Sequence, residues 1–214
     1  MIDINYMMSR LSRSRPLFHS EADFQHALAW EIQTLNPNCS MRLEFKPPYL
    51  KERIYLDIWC THEDIIIAIE LKYKTRGTLV NVNGEIFALL DQSAQDIGRY
   101  DFIKDIQRLE QLVFDRNKIV AYAIFLTNDS AYWAPPRSNQ TVDAGFRIHE
   151  GRILTGEVCW AFGASEGTRR GREGKLHVRR TYTLNWKDYS EVSQKSYGKF
   201  RYLLVNAENK PKKQ

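Results

Sequence analysis

The sequence predicts an α/β fold: a central mixed β-sheet flanked by helices, with core order α-β-β-β-α-β and a β-rich C-terminal extension. Three observations predict it. Two β-branched runs, 53–60 and 65–74, are joined by the short polar segment Thr61-His62-Glu63-Asp64, which makes a hairpin. The stretch 118–127 contains an unbroken Val-Ala-Tyr-Ala-Ile-Phe-Leu, the pattern of a strand covered on both faces. Helical periodicity precedes the hairpin and returns after it.

Taken in order, residues 1–19 contain several Ser and Arg and are expected to form a loosely attached arm. Ser20 can cap a helix, with Asp23 acting like the acid of a capping box. Phe24, Ala27, Leu28, Ile32 and Leu35 continue it at helical spacing, and Asn36-Pro37-Asn38 stops it. Residues 41–46 read as a strand ended by Pro47-Pro48, and the hairpin follows. Residues 75–84 read as a polar loop with two glycines, 91–114 as a long helix, and 118–127 as the next strand. Beyond Asn128 the pattern loosens. Short strands are expected at 146–148, 154–160, 177–186 and 200–205, a mobile Gly- and Arg-rich loop at 165–175, and a basic disordered tail at 210–214. The division is thus an arm at 1–19, a core at 20–128, an extension of the same domain at 129–209 and the tail.

With 214 residues and a 43% hydrophobic share, the chain is long enough to bury one substantial core. No apolar run approaches the roughly 20 residues needed to cross a membrane. Cys39, Cys60 and Cys159 show no CxxC spacing, which fits a reducing cytoplasm and argues against a thiolate metal site. The net charge of +5 is unevenly placed. Residues 137–214 hold 16 Lys+Arg against 8 Asp+Glu, or +8, leaving −3 for residues 1–136. A basic C-terminal third suits a polyanion partner.

The chemistry lies in the hairpin. Side chains alternate faces along a strand. Ile54, Leu56, Ile58 and Cys60 then share one face with Ile65, Ile67, Ile69 and Leu71. A tight turn at His62-Glu63 sets Asp57 opposite Ala68, diagonal to Glu70, and places Asp57, Glu70 and Lys72 together on the other face. Two carboxylates and a lysine are expensive inside a sheet. Two carboxylates supply hard oxygen ligands for Mg²⁺ or Mn²⁺. Lys72 would either have a lowered pKa and activate a water, or neutralise charge on a phosphate. A second acid-x-lysine, Glu44-Phe45-Lys46, is set aside, since it lacks a preceding acid at hairpin spacing and runs into two prolines.

Asp57 followed by Glu70-Leu71-Lys72 on a hairpin, with a helix before and a helix and strand after, resembles the PD-(D/E)xK (restriction-endonuclease-like) nuclease superfamily over roughly residues 20–128. Leu56 stands where that motif has proline. The resemblance implies a metal-dependent nuclease, an endonuclease acting on DNA, with Asp57 and Glu70 as ligands of Mg²⁺ or Mn²⁺ and Lys72 assisting the attacking water. It also implies a further ligand from the first helix, for which Glu21 is the candidate and Glu31 the alternative. Arg76 in the loop, with Arg99 and Lys104 on the long helix, would contact phosphates. Arg99, Lys104 and Arg108 would otherwise form helix-surface pairs with Asp101, Asp105 and Glu110. Cutting both strands would favour a homodimer. The alternative is a non-catalytic nucleic-acid-binding module in a larger complex.

Overall fold

The computed structural model describes residues 2–47, 55–114, 118–138 and 140–207. The expected strand residues Arg53 and Ile54 and the basic tail lie outside them.

The chain opens with a helix, α1 (Ile4–Ser14), where a loose arm was expected. Asp3 caps it, its carboxylate accepting the Tyr6 N–H at 3.1 Å. Ile4, Met7, Met8 and Leu11 form a buried stripe at i, i+3, i+4 and i+7. Leu17 and Phe18, just beyond it, are fully buried. This apolar stripe ties down a segment whose Ser and Arg content reads as loose. In α2 (Glu21–Leu35), the Ser20 hydroxyl accepts the Asp23 N–H at 3.1 Å, as the capping signature requires.

Strands β1 (Ser40–Phe45), β2 (Leu56–His62) and β3 (Ile65–Lys74) form an antiparallel meander. The polar loop expected at 75–84 is instead part of a second hairpin, β4 (Thr78–Val82) and β5 (Glu85–Leu89). Its turn, Asn83-Gly84, has φ of 53° and 89°, the left-handed pair that a two-residue hairpin favours. Then come α3 (Gln95–Phe114), β6 (Ile119–Thr127), β7 (Ile153–Val158), a short helix α4 (Glu166–Arg169), β8 (Leu176–Thr183), β9 (Trp186–Glu191) and β10 (Lys199–Asn206). The strand expected at 146–148 does not form; Phe146 ends a single 3₁₀ turn, Ala144–Phe146.

The central sheet has six strands in the order β1-β2-β3-β6-β10-β9. β6 runs parallel to β3, with α3 in the crossover, and β10 pairs antiparallel with β6. The C-terminal extension therefore completes the main sheet. One face of the sheet packs on α1 and α2 through Ile58, Ile67, Ile69, Leu71 and Ile124. The opposite face packs on α3 and the β7–β8 pair through Trp59, Ala68, Ala121, Ala123 and Phe125. β8 is held to α3 by side chains: the buried Glu110 carboxylate accepts the N–H groups of Arg179 and Arg180 at 2.8 and 3.0 Å. Among the described residues, no helix is long and apolar enough to cross a membrane.

Candidate active site

The hairpin register differs by two residues from the one expected. Ile58 pairs with Ile69 and His62 with Ile65, so the two-residue turn is Glu63-Asp64. A shift of two preserves the side-chain faces. Continued by one residue, this register sets Asp57 directly across from Glu70 rather than diagonal to it. The expected uniform apolar face is interrupted, however. Leu56 shares the parity of Ile58 but packs in the α3-side cluster, and Phe45 does so beside Leu43. Between Leu43 and Phe45 stands Glu44 with φ of 48°, a strained value for a residue with a side chain. The pleat thus breaks at Glu44 and Asp57, at the edge of the candidate site.

Past the last paired residues, Ile58 and Ile69, carboxylates accept backbone N–H groups of β3. Asp57 Oδ2 accepts the Leu71 N–H at 2.5 Å. Glu21 Oε2, from the first turn of α2, accepts the Tyr73 N–H at 2.6 Å. One helical turn on, Gln25 is buried and donates from Nε2 to Glu44 Oε1 and to the Asp57 carbonyl, both at 2.8 Å. Glu31, the alternative helix acid, is paired with Arg10 of α1 at 2.5 Å and is committed there.

On the α3 side, Glu70 is only 3% exposed and accepts a charge-assisted hydrogen bond from Arg108. Lys72 Nζ lies 2.6 Å from Asp105 Oδ2, and Arg108 is also 3.1 Å from Asp105 Oδ1. Two strand residues are thus latched to two helix residues one turn apart. The network holds the carboxylates Glu21, Glu44, Asp57, Glu70 and Asp105 against the cations Lys72 and Arg108. Its electrostatics follow from burial first and from that deficit of positive charge second. Burial, opposed by the Leu71 N–H and Lys72 and reinforced by Glu21 and Glu44, raises Asp57 to about 6. Burial also raises Glu70, helped by Asp105 and opposed by Arg108. Burial alone would discharge Lys72, but Asp105 dominates and holds its pKa above the ordinary lysine value. The lowered pKa considered for Lys72 is therefore corrected: it is a firm ammonium.

Asp57 and Glu70 carry the hard oxygen donors that Mg²⁺ or Mn²⁺ takes, in a cluster with more carboxylates than cations. Among the described residues, no group of three or more His, Cys, Asp or Glu side chains is arranged to hold a metal ion. The reason is local: Glu70 turns to Arg108, and Asp57 and Glu21 turn to backbone N–H groups.

The three expected phosphate-binding residues fare differently. Arg99 is 3% exposed, with Nη1 2.6 Å from Asp143 Oδ2 and Nη2 donating to the Ala131 carbonyl at 2.6 Å. It is a core residue, which corrects its assignment to the nucleic-acid surface. Arg76 lies at the end of β3, paired with Asp91 at 3.0 Å and stacked over the Tyr197 ring. Lys104 is half-buried on α3, one turn before Arg108. The helix-surface pairs expected along α3 reduce to Asp105 with Arg108; Asp101 is bound instead by Arg172, and Glu110 caps β8.

Sequence reasoning missed Gln25 and Glu44 as members of the cluster, and it read Asp105 and Arg108 as residues of the helix surface rather than as partners of Lys72 and Glu70. Gln25 carried a faint signal, standing four residues after Glu21 on the same helix face. Glu44 was set aside as part of a false motif, and its lysine indeed plays no part in this network. Asp105 and Arg108 carried no signal, because their partners lie 33 and 38 residues away across a helix-to-strand contact. No family model, curated protein or solved structure matches the chain.

Proposed function

We propose that the protein is a metal-dependent nuclease of the PD-(D/E)xK type that hydrolyses phosphodiester bonds in DNA. The observation that carries the reading is the electrostatic coupling of Asp57, Glu70 and Lys72, with Glu21 beside them, in one cation-poor cluster. The meander β1-β2-β3 with β6 parallel to β3 across α3 supports it, because that is the order the resemblance implies.

In this reading Asp57 and Glu70 would hold Mg²⁺ or Mn²⁺, with Glu21 as a further donor. The bound ion would polarise the phosphate and lower the pKa of a water in its shell. To hold the ion, Glu70 would have to give up its bond from Arg108. Lys72, kept charged by Asp105, orients the attacking water through its N–H donors and balances the charge that builds on the phosphate. It does not take the proton. Gln25 fixes the Asp57 backbone and so positions its carboxylate. Lys104, one turn before Arg108, and Arg76, just past β3, would contact backbone phosphates, contacts that position a substrate without reading its sequence.

A second reading has one observation in its favour: Arg108 already occupies Glu70, as in a fold retained for binding alone. It makes the protein a non-catalytic nucleic-acid-binding module of a larger complex.

The test is cleavage of plasmid and linear DNA in Mg²⁺ or Mn²⁺ by the wild type, Glu70→Ala and Lys72→Ala, each checked for folding by circular dichroism. Cleavage by the wild type and its loss in both variants is expected. Unchanged cleavage in both folded variants sinks the mechanism.

A further inference from the structure

Phe162 is fully exposed, at 106% of its reference area, although most large apolar side chains of the described chain are buried. It stands at the tip of a turn followed by Gly163, whose φ of 91° lets the chain reverse there. The base of this turn is firmly held. The Ala161 N–H donates to the Val142 carbonyl at 2.8 Å. The neighbouring Trp160 is stacked on Tyr100 with centroids 5.7 Å apart, and its indole N–H donates to the Arg172 carbonyl at 2.8 Å. Arg172 in turn forks onto Asp101 at 2.7 and 2.8 Å. The Arg-rich loop expected to be mobile is therefore anchored to α3.

The anchor lies beside the candidate active site. Asp101 is one helical turn, about 5–6 Å, from Asp105, which holds Lys72. The same loop exposes Arg169 and Arg170, and residues 165–175 hold four Lys+Arg against two Glu. A rigidly based, exposed ring on the same segment as two exposed guanidinium groups suits single-stranded nucleic acid: an aromatic face for an unpaired base, cations for its phosphates.

We propose that residues 160–173 form a single-strand clamp, in which Phe162 stacks on an unpaired base and Arg169 and Arg170 hold the flanking phosphates. The proposal rests on the nuclease reading for its choice of substrate class.

The test is binding of fluorescein-labelled single-stranded DNA and of a blunt duplex of the same sequence, in Ca²⁺, with a salt series. Phe162→Ala is expected to weaken single-strand binding about tenfold, the loss of one base stack, and to leave duplex binding unchanged. Phe162→Trp restores it. Arg169→Ala with Arg170→Ala lowers the salt slope on single strands by about 1.4. Phe162 has no burial to lose, so its variant keeps the wild-type melting temperature. Equal single-strand affinity of Phe162→Ala and wild type overturns the clamp. So does failure of the wild type to bind nucleic acid, which leaves the ring as a contact for another protein. Phe162-dependent binding without any metal-dependent cleavage keeps the clamp and overturns the nuclease reading alone.

Discussion

Helix α3 carries two buried charge clusters, and they are built on opposite plans. Near its start, Arg99 and Arg147 share Asp143, at 2.6 and 3.0 Å, and Arg152 spends its donors on the carbonyls of Gly145 and Arg147. Positive charge is in excess there; carbonyl oxygens and the Tyr132 ring, 5.3 Å from the Arg99 guanidinium, offset part of it, while Nε of Arg99 and of Arg147 stay buried without a hydrogen-bond partner. Two turns later, Asp105 and Arg108 face Glu70, Lys72 and Asp57, where negative charge is in excess and two carboxyl groups are pushed toward protonation. The first cluster, built on one shared carboxylate and on backbone carbonyls, ties the loop at Asp143 to α3. A cluster left short of cations is a place where a cation, and the phosphate it carries, can gain by binding.

The comparison breaks first at Asp143. Asp143→Ala leaves Arg99 buried without its carboxylate and is expected to lose about 3–5 kcal/mol in urea unfolding. A loss below about 1 kcal/mol means that the Ala131 carbonyl and Tyr132 suffice, and that the cluster is not structural.

Asp57→Asn is expected to act with the opposite sign. The folded protein raises Asp57 from 3.8 to about 6, so it favours the protonated acid. Stability is therefore lost as pH rises from about 4 to about 6, and the charged form remains a burden above that. With chelator present, Asp57→Asn should be more stable than the wild type at pH 8 by about 1–3 kcal/mol, and indistinguishable from it near pH 3. A variant that is less stable at pH 8 makes Asp57 a structural partner of the Leu71 N–H instead.

Gly98, next to Arg99, sharpens the packing side. A helical Gly→Ala change usually stabilises by about 1 kcal/mol. Here the added Cβ would lie 2.5 Å from the hydroxyl of the buried Tyr132. Gly98→Ala is expected to destabilise by about 1–2 kcal/mol, and Tyr132→Phe in that background to recover part of the loss. The smallest effect belongs to Lys118 and Asp64, an exposed pair at 2.9 Å; Lys118→Ala should leave the thermal midpoint unmoved.

The sequence made the hairpin legible because parity is strict: Ile65–Lys74 runs unbroken, and Glu70 and Lys72 share a face in any even register shift. It made the start of α2 legible because Ser20 and Asp23 form a local motif. Two further signals were present but outweighed. Asn83-Gly84 marks a hairpin turn within a polar stretch, and Ile4, Met7, Met8 and Leu11 mark a helix among serines and arginines. Arg99 reads as a surface cation because arginines are mostly exposed, and its buried partners, Asp143, the Ala131 carbonyl and the Tyr132 ring, lie 44, 32 and 33 residues away. The latch of Arg108 on Glu70 is likewise a tertiary event.

The central claim is that the Asp57–Glu70 cluster lacks a cation and takes Mg²⁺ or Mn²⁺. Titration calorimetry with Mn²⁺ near pH 7 tests it most directly, on the wild type, Asp57→Asn and Glu70→Gln. The account predicts a saturable site in the wild type that both substitutions remove. A wild type that binds no Mn²⁺, or binds it equally well in both variants, contradicts it.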